Sequence, residues 1–139
     1  MTSFGADAPR RIVLDTSAYS RFRSGDPRML DCLTRAEAVF LPVIVLGELE
    51  AGFRLGRHVR ENRVALAEFL QEPFVAVSSV TPDVARRYGE IFAELRRAGT
   101  PIPVNDIWIA ACTLESGAHL VTYDADFERI SRLEKTVLV

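Results

Sequence analysis

Four short, almost unbroken apolar runs recur along the chain, at Arg11–Leu14, Ala38–Leu41, Phe74–Val77 and His119–Thr122, with helix-like stretches between them. A strand of this length without polar alternation is buried on both faces. That is the condition of a parallel sheet covered by helices, not of an antiparallel sheet with one wet face. Parallel neighbours also need long crossovers, which the intervening segments supply as helices. The expectation is one α/β domain with a central parallel sheet of four to five strands and helices on both faces, the fifth strand being an edge at Thr136–Val139. The 139 residues, 48% of them hydrophobic and 26% charged, are enough for one such core. Residues 1–10 show no periodicity and read as a loose leader ahead of a single domain over 11–139.

Helix punctuation supports the alternation. A helical stretch follows Asp15 to about Phe22, and Pro27, after the turn Ser24-Gly25-Asp26, is placed to open a second helix reaching about Ala36. Pro42 stops the second strand before a helix over Val43–Leu55. Phe53–Glu72 continues as a helical hairpin, with Gly52 and Gly56 as its breaks. Thr81-Pro82-Asp83 offers an N-cap, an N1 proline and an early acid for a helix that runs to about Ala98 and ends at Gly99. Ile107–Cys112 is apolar nearly all round, which marks a buried helix, and Gly117 closes it.

Composition narrows the partners less than the pattern narrows the fold. No run approaches the roughly 18 to 20 apolar residues that cross a bilayer, and the start lacks a basic region followed by an apolar core, so no membrane association and a cytoplasmic location are expected. Cys32 and Cys112 stand in apolar contexts without metal-ligand spacing and are expected as buried free thiols. The net charge of −2 argues against an all-over basic coat for nucleic acid, yet Lys135 is the one lysine among 17 basic residues. Arginine suits phosphate and carboxylate pairing, and a high-GC genome produces the same bias through codon usage. Arg54, Arg57, Arg60 and Arg63 recur every third residue, either as an RNA-facing set or as a solvated face pairing with Glu61 or Glu68.

Four acids stand out by position: Asp15 after the first strand, Glu48 early in a mostly apolar helix, Asp106 opening the buried helix and Asp124 after the fourth strand. Singly, each has a structural explanation, as a helix cap, a solvated face, a first-turn acid or a turn residue. Together they are different, because a parallel sheet delivers the carboxyl ends of its strands to one rim, and helix starts can reach the same rim. Carboxylates gathered there raise one another's pKa unless a cation neutralises them. Hard oxygen donors without Cys or His select Mg2+ or Mn2+ over zinc. Thr16, Ser17 and Thr122 could orient such a site through hydrogen bonds.

These segments, Val13-Leu14-Asp15-Thr16-Ser17, Gly47-Glu48-Leu49, Asp106 with Ile109-Ala110-Ala111, and Thr122-Tyr123-Asp124-Ala125-Asp126-Phe127, occur in an order that resembles the PIN-domain nucleases, specifically the VapC-type toxins of bacterial toxin-antitoxin pairs. The resemblance spans about residues 11–139. It implies a three-layer α/β/α domain and Mg2+- or Mn2+-dependent endoribonuclease activity, in which a metal-activated water attacks an RNA phosphodiester. It further implies Asp15, Glu48, Asp106 and Asp124 as catalytic and metal-binding acids, a homodimer, and a cognate VapB-like antitoxin. Asp124 and Asp126 compete for the fourth position, with Asp124 preferred and Asp126 supporting. Two other classes compete with this reading. A phosphatase or receiver-like phosphoryl-transfer domain also places an acid after its first strand, but Ser17 stands where a phosphatase of that class needs a second Asp. A catalytically silent RNA- or protein-binding module is disfavoured by the presence of all four acids.

Overall fold

The computed structural model describes residues 4 and 7–139. Five strands, β1 (Arg11–Leu14), β2 (Ala38–Pro42), β3 (Val75–Ser78), β4 (His119–Thr122) and β5 (Lys135–Val137), form one sheet in the order β3-β2-β1-β4-β5. Every pairing is parallel. Ile12, Val13 and Leu14 of β1 are all fully buried, so side chains on both faces of the central strand are covered. The cover comes from α1 (Thr16–Arg23), α2 (Pro27–Arg35), α3 (Val43–Leu55), α4 (Val59–Leu70), α5 (Pro82–Ala98) and α6 (Val104–Ser116), which gives the expected α/β/α arrangement.

The topology decides where a site can form. From β1 the chain steps outward through β2 to β3, then returns across the sheet to β4 on the other side of β1 and continues to β5. Strand order therefore reverses between β1 and β4, and the crevice beyond their carboxyl ends is the switch point at which open α/β sheets bind ligands. Val13 is in register with Leu120 and Leu14 with Val121, so the residues following Leu14 and Thr122 leave the sheet side by side.

The punctuation acts largely as the sequence indicates. Asp26 caps α2, accepting from the Arg28 amide at 2.9 Å, with Pro27 at the start of the helix. Thr81 caps α5, accepting from the Val84 amide at 3.2 Å, and Gly99 ends that helix in the left-handed region at φ 70°. Ile107 and the stretch Ile109–Thr113 of α6 are buried, as an apolar helix requires. Cys32 and Cys112 are buried free thiols whose pKa values burial pushes up to about 12 and about 11.

Three details differ from expectation. Gly52 stays inside α3, and only Gly56, with extended backbone, ends it; the chain turns through Arg57 and His58 before α4. The last strand begins at Lys135 and stops at Val137, although Leu138 remains fully buried and donates its amide to the Thr122 carbonyl at 2.8 Å. The leader expected over 1–10 falls partly outside the described residues. Of the part described, Phe4 packs against the core and the Arg10 carbonyl accepts from the Glu37 and Ala38 amides.

Candidate metal centre

Asp15 ends β1 and opens α1, and it serves both purposes at once. Its Oδ1 accepts from the Ala18 amide at 2.9 Å and from Ser17 Oγ at 2.7 Å, which caps α1. Its Oδ2 accepts from Thr122 Oγ1, at the end of β4, at 2.5 Å. The helix cap is thus Asp15 itself, while the Thr16 hydroxyl donates to Glu48 and the Ser17 hydroxyl to Asp15. Asp15 is 4% exposed, and burial raises its pKa; the Thr122, Ala18 and Ser17 hydrogen bonds oppose that rise and Asp124 adds to it.

Thr122 joins the two strand ends. It is fully buried, donates to Asp15 and accepts from the Asp124 amide at 2.9 Å. Ser17 adds a second tie by accepting from the Tyr123 amide at 3.0 Å. Asp124 then caps a short 3-10 helix over Ala125–Arg129, its Oδ1 accepting from the Asp126 amide at 2.9 Å. A capped turn of this kind aims both acids to the same side.

Glu48 and Asp106 arrive from helices. A helix entering β4 runs against the strand direction, which brings the start of α6 to the carboxyl edge of the sheet, with Asp106 in its first turn. Half-buried Glu48 on α3 is held at both oxygens: Thr16 Oγ1 donates to Oε1 at 2.6 Å and Asn105 Nδ2 to Oε2 at 3.3 Å. Pro103 occupies the helix cap of α6, and Asn105 in the first turn serves the acid. Its adjacency to Asp106 is the only sequence signal that could have pointed to this role.

One carboxylate oxygen each from Asp106, Asp124 and Asp126 lie within 4.8 Å of one another. Asp124 and Asp126 therefore do not exclude each other, since both reach Asp106. Asp106 is pushed up to about 7, first by burial and then by Asp124, Glu48, Asp15 and Asp126, every one an acid. Arg129 pairs with Asp126 at 3.8 Å and also donates to the Pro101 carbonyl. A half-buried set of carboxylate oxygens in which burial and like charges together disfavour ionisation of Asp106 fits a hard divalent cation.

The family model described as PIN domain matches residues 12–133. The chain belongs to the PIN-domain family. Among relatives, it is 31% identical to Ribonuclease VapC5 of Mycobacterium tuberculosis over 121 residues, 86% of this chain and 87% of that one. Among solved structures, VapBC2 from Rickettsia felis, bound to a DNA fragment from its promoter, superposes with TM-score 0.79 at 25% identity, covering 91% of this chain and 97% of that one. VapBC-1 from nontypeable Haemophilus influenzae has TM-score 0.81 at 23% identity, covering 91% and 96%, and shares the fold.

Other charged residues of this PIN domain are placed differently from the sequence expectation. The break at Gly56 puts Arg54 on α3 and Arg60 and Arg63 on α4, so the arginine repeat is not one helical face. Arg54 and Arg63 converge on Glu50, not on Glu61 or Glu68; Glu61 pairs with His58 at 2.8 Å. Lys135 donates to the Ile130 and Leu133 carbonyls at 3.1 and 3.3 Å, so the single lysine is engaged as a backbone cap.

Proposed function

We propose that this chain is the toxin of a toxin-antitoxin pair, a metal-dependent endoribonuclease that hydrolyses RNA phosphodiester bonds. The acid-crowded Asp106, with Asp124 and Asp126 beside it, is the observation that carries this function. Kinship with a ribonuclease named VapC5, and with a VapBC complex bound to promoter DNA, supports it from outside the chain. The partners that follow are an RNA substrate, a VapB-like antitoxin and a second copy of the chain. The location is cytoplasmic, and no helix among the described residues is long and apolar enough to cross a membrane.

Asp15, Glu48, Asp106 and Asp124 would hold Mg2+ or Mn2+, supported by Asp126, whose carboxylate clusters with those of Asp106 and Asp124. A cation held there would supply charge neutralisation, polarisation of a phosphodiester and activation of water for in-line attack. The chain's own residues fix the geometry that this needs. Thr122 locks Asp15 to the Asp124 backbone, so the ends of β1 and β4 cannot drift apart. Thr16 and Asn105 hold both oxygens of Glu48 in one orientation. Burial and the neighbouring acids push the Asp106 carboxyl up to about 7, and positive charge beside it would favour the ionised form. Pre-set donors and acids of this kind reorganise little during reaction. A receiver-like phosphoryl-transfer role would have Lys135 as its only possible lysine, and Lys135 is engaged with main-chain oxygens.

The test is incubation of purified protein with total RNA in Mg2+ or Mn2+, with and without chelator, followed by mapping of the cut ends. Cleavage stops in chelator, and Asp106→Asn lowers it by roughly a thousand-fold while the far-ultraviolet spectrum stays native, the loss expected when several kcal/mol of charge stabilisation are removed. Cleavage by Asp106→Asn at the wild-type rate, or cleavage that persists in chelator, would refute the metal-site assignment. RNA binding without cleavage by the wild type would favour the silent binding module.

A further inference from the structure

Next to the acidic pocket lies a polar cluster that metal binding does not use. The Tyr123 hydroxyl donates to Asp26 Oδ2 at 2.7 Å, and Asp26 also binds Arg28 through Nε at 3.4 Å and through its terminal nitrogen at 3.3 Å. Two guanidinium groups lie over the Tyr123 ring, Arg21 at 4.7 Å and Arg28 at 5.4 Å from its centroid. Arg28 is committed to Asp26. Arg21 is exposed, has no carboxylate or carbonyl acceptor among the described residues, and rests on the Tyr123 ring.

Position gives this arrangement its meaning. Ser17 and Arg21 are four residues apart on α1 and share a face. Ser17 accepts from the Tyr123 amide, and Arg21 covers the Tyr123 ring. Tyr123 is in turn the residue before Asp124. An RNA strand approaching five acids is repelled by them, so its backbone needs a cation close by that no protein acid has already neutralised. A stacked guanidinium with all its N–H donors unspent is suited to a phosphate, and stacking lowers the entropy lost when it binds.

Building on the ribonuclease assignment, we propose that Arg21, held on the Tyr123 ring by the Asp26 anchor, seats a backbone phosphate of the RNA next to the scissile one. Arg21 is a substrate-contact residue; Tyr123 and Asp26 are positioning residues that act through it.

Binding of a short fluorescein-labelled single-stranded RNA of mixed sequence, followed by anisotropy in an Asp106→Asn background across a salt series, tests this apart from catalysis. Arg21→Gln weakens binding about ten-fold and flattens the salt dependence by about 0.7 in log–log slope, the value for one phosphate contact on a single strand. Arg21→Lys restores most of the slope but only part of the affinity, because lysine keeps the charge and loses the planar stack. Tyr123→Leu moves affinity in the same direction as Arg21→Gln, and adds nothing on top of it in the double variant. Arg97→Gln, an exposed arginine on α5, changes neither quantity. An unchanged affinity and slope in Arg21→Gln, or no RNA binding at all, would overturn the phosphate seat. Failure of the wild type to cleave RNA would instead overturn the ribonuclease assignment, with the anisotropy series still deciding the role of Arg21.

Discussion

Asp106 and Asp26 are the same residue type in nearby parts of one molecule, joined through Asp124 and Tyr123, yet their surroundings drive them in opposite directions. Asp106 is pushed up to about 7 by burial among other acids, whereas Asp26 is held down at about 2 by Arg28, by the Tyr123 hydroxyl and by the Arg28 amide. The Asp26 cluster is electrostatically complete, because donors and a cation already satisfy its carboxylate. The Asp106 cluster is not, and what would complete it is a cation from solution. This contrast separates a structural tether from a ligand site more cleanly than the presence of acids alone, since both clusters are rich in polar residues.

The largest effect on stability should come from the joint that serves the acidic side. Thr122→Val is nearly isosteric but removes the donor to Asp15 and the acceptor of the Asp124 amide, leaving buried groups unpaired. We expect about 2–3 kcal/mol of destabilisation in urea unfolding, with weakened Mn2+ binding by calorimetry. A loss below about 0.5 kcal/mol with unchanged Mn2+ affinity would mean that the strand ends are held in register without Thr122.

The tether should show the ordinary acid response. Asp26→Asn keeps an oxygen for the helix cap but gives up the charge, and costs about 1–2 kcal/mol at pH 7. Because the folded pKa lies below the unfolded one, this contribution is present above about pH 4 and disappears as pH falls toward 2, so wild type and variant should converge there. A difference that stays constant down to pH 2 would show that shape, not charge, anchors Tyr123.

The acidic pocket should give the opposite sign, and a smaller effect. In metal-free protein the folded state keeps a proton on Asp106 that the unfolded chain has lost, so stability falls as pH rises from about 4 through about 7. Asp106→Asn escapes that loss and should be more stable than wild type by about 1 kcal/mol at pH 8, after solvent screening of a half-buried group, with the gap closing toward pH 4. Saturating Mg2+ should remove or reverse the difference by stabilising wild type alone. If thermal melts show Asp106→Asn less stable than metal-free wild type at pH 8, the two acids do not differ in the way their surroundings imply.

Much of this was determined by the sequence itself. Apolar runs such as Ile12–Leu14 and Leu120–Val121 can be buried only in a sheet covered on both faces, and Pro27, Thr81, Gly99 and Gly117 mark helix ends through local steric and hydrogen-bonding rules that no distant contact needs to enforce. The acids after β1 and β4 followed from the same logic, because parallel strands must deliver their ends to one edge. What only the tertiary structure decided are relations between residues far apart in the chain, which carry no local signature: the reversal of strand order that puts β1 beside β4, the Thr122 bond to Asp15 across 107 positions, Asn105 serving Glu48 across 57, and Tyr123 reaching Asp26 across 97. Thr, Asn and Tyr suit turns, caps and cores equally well. Their partners are set by the twist and register of the sheet, so their roles could not be read from the chain alone.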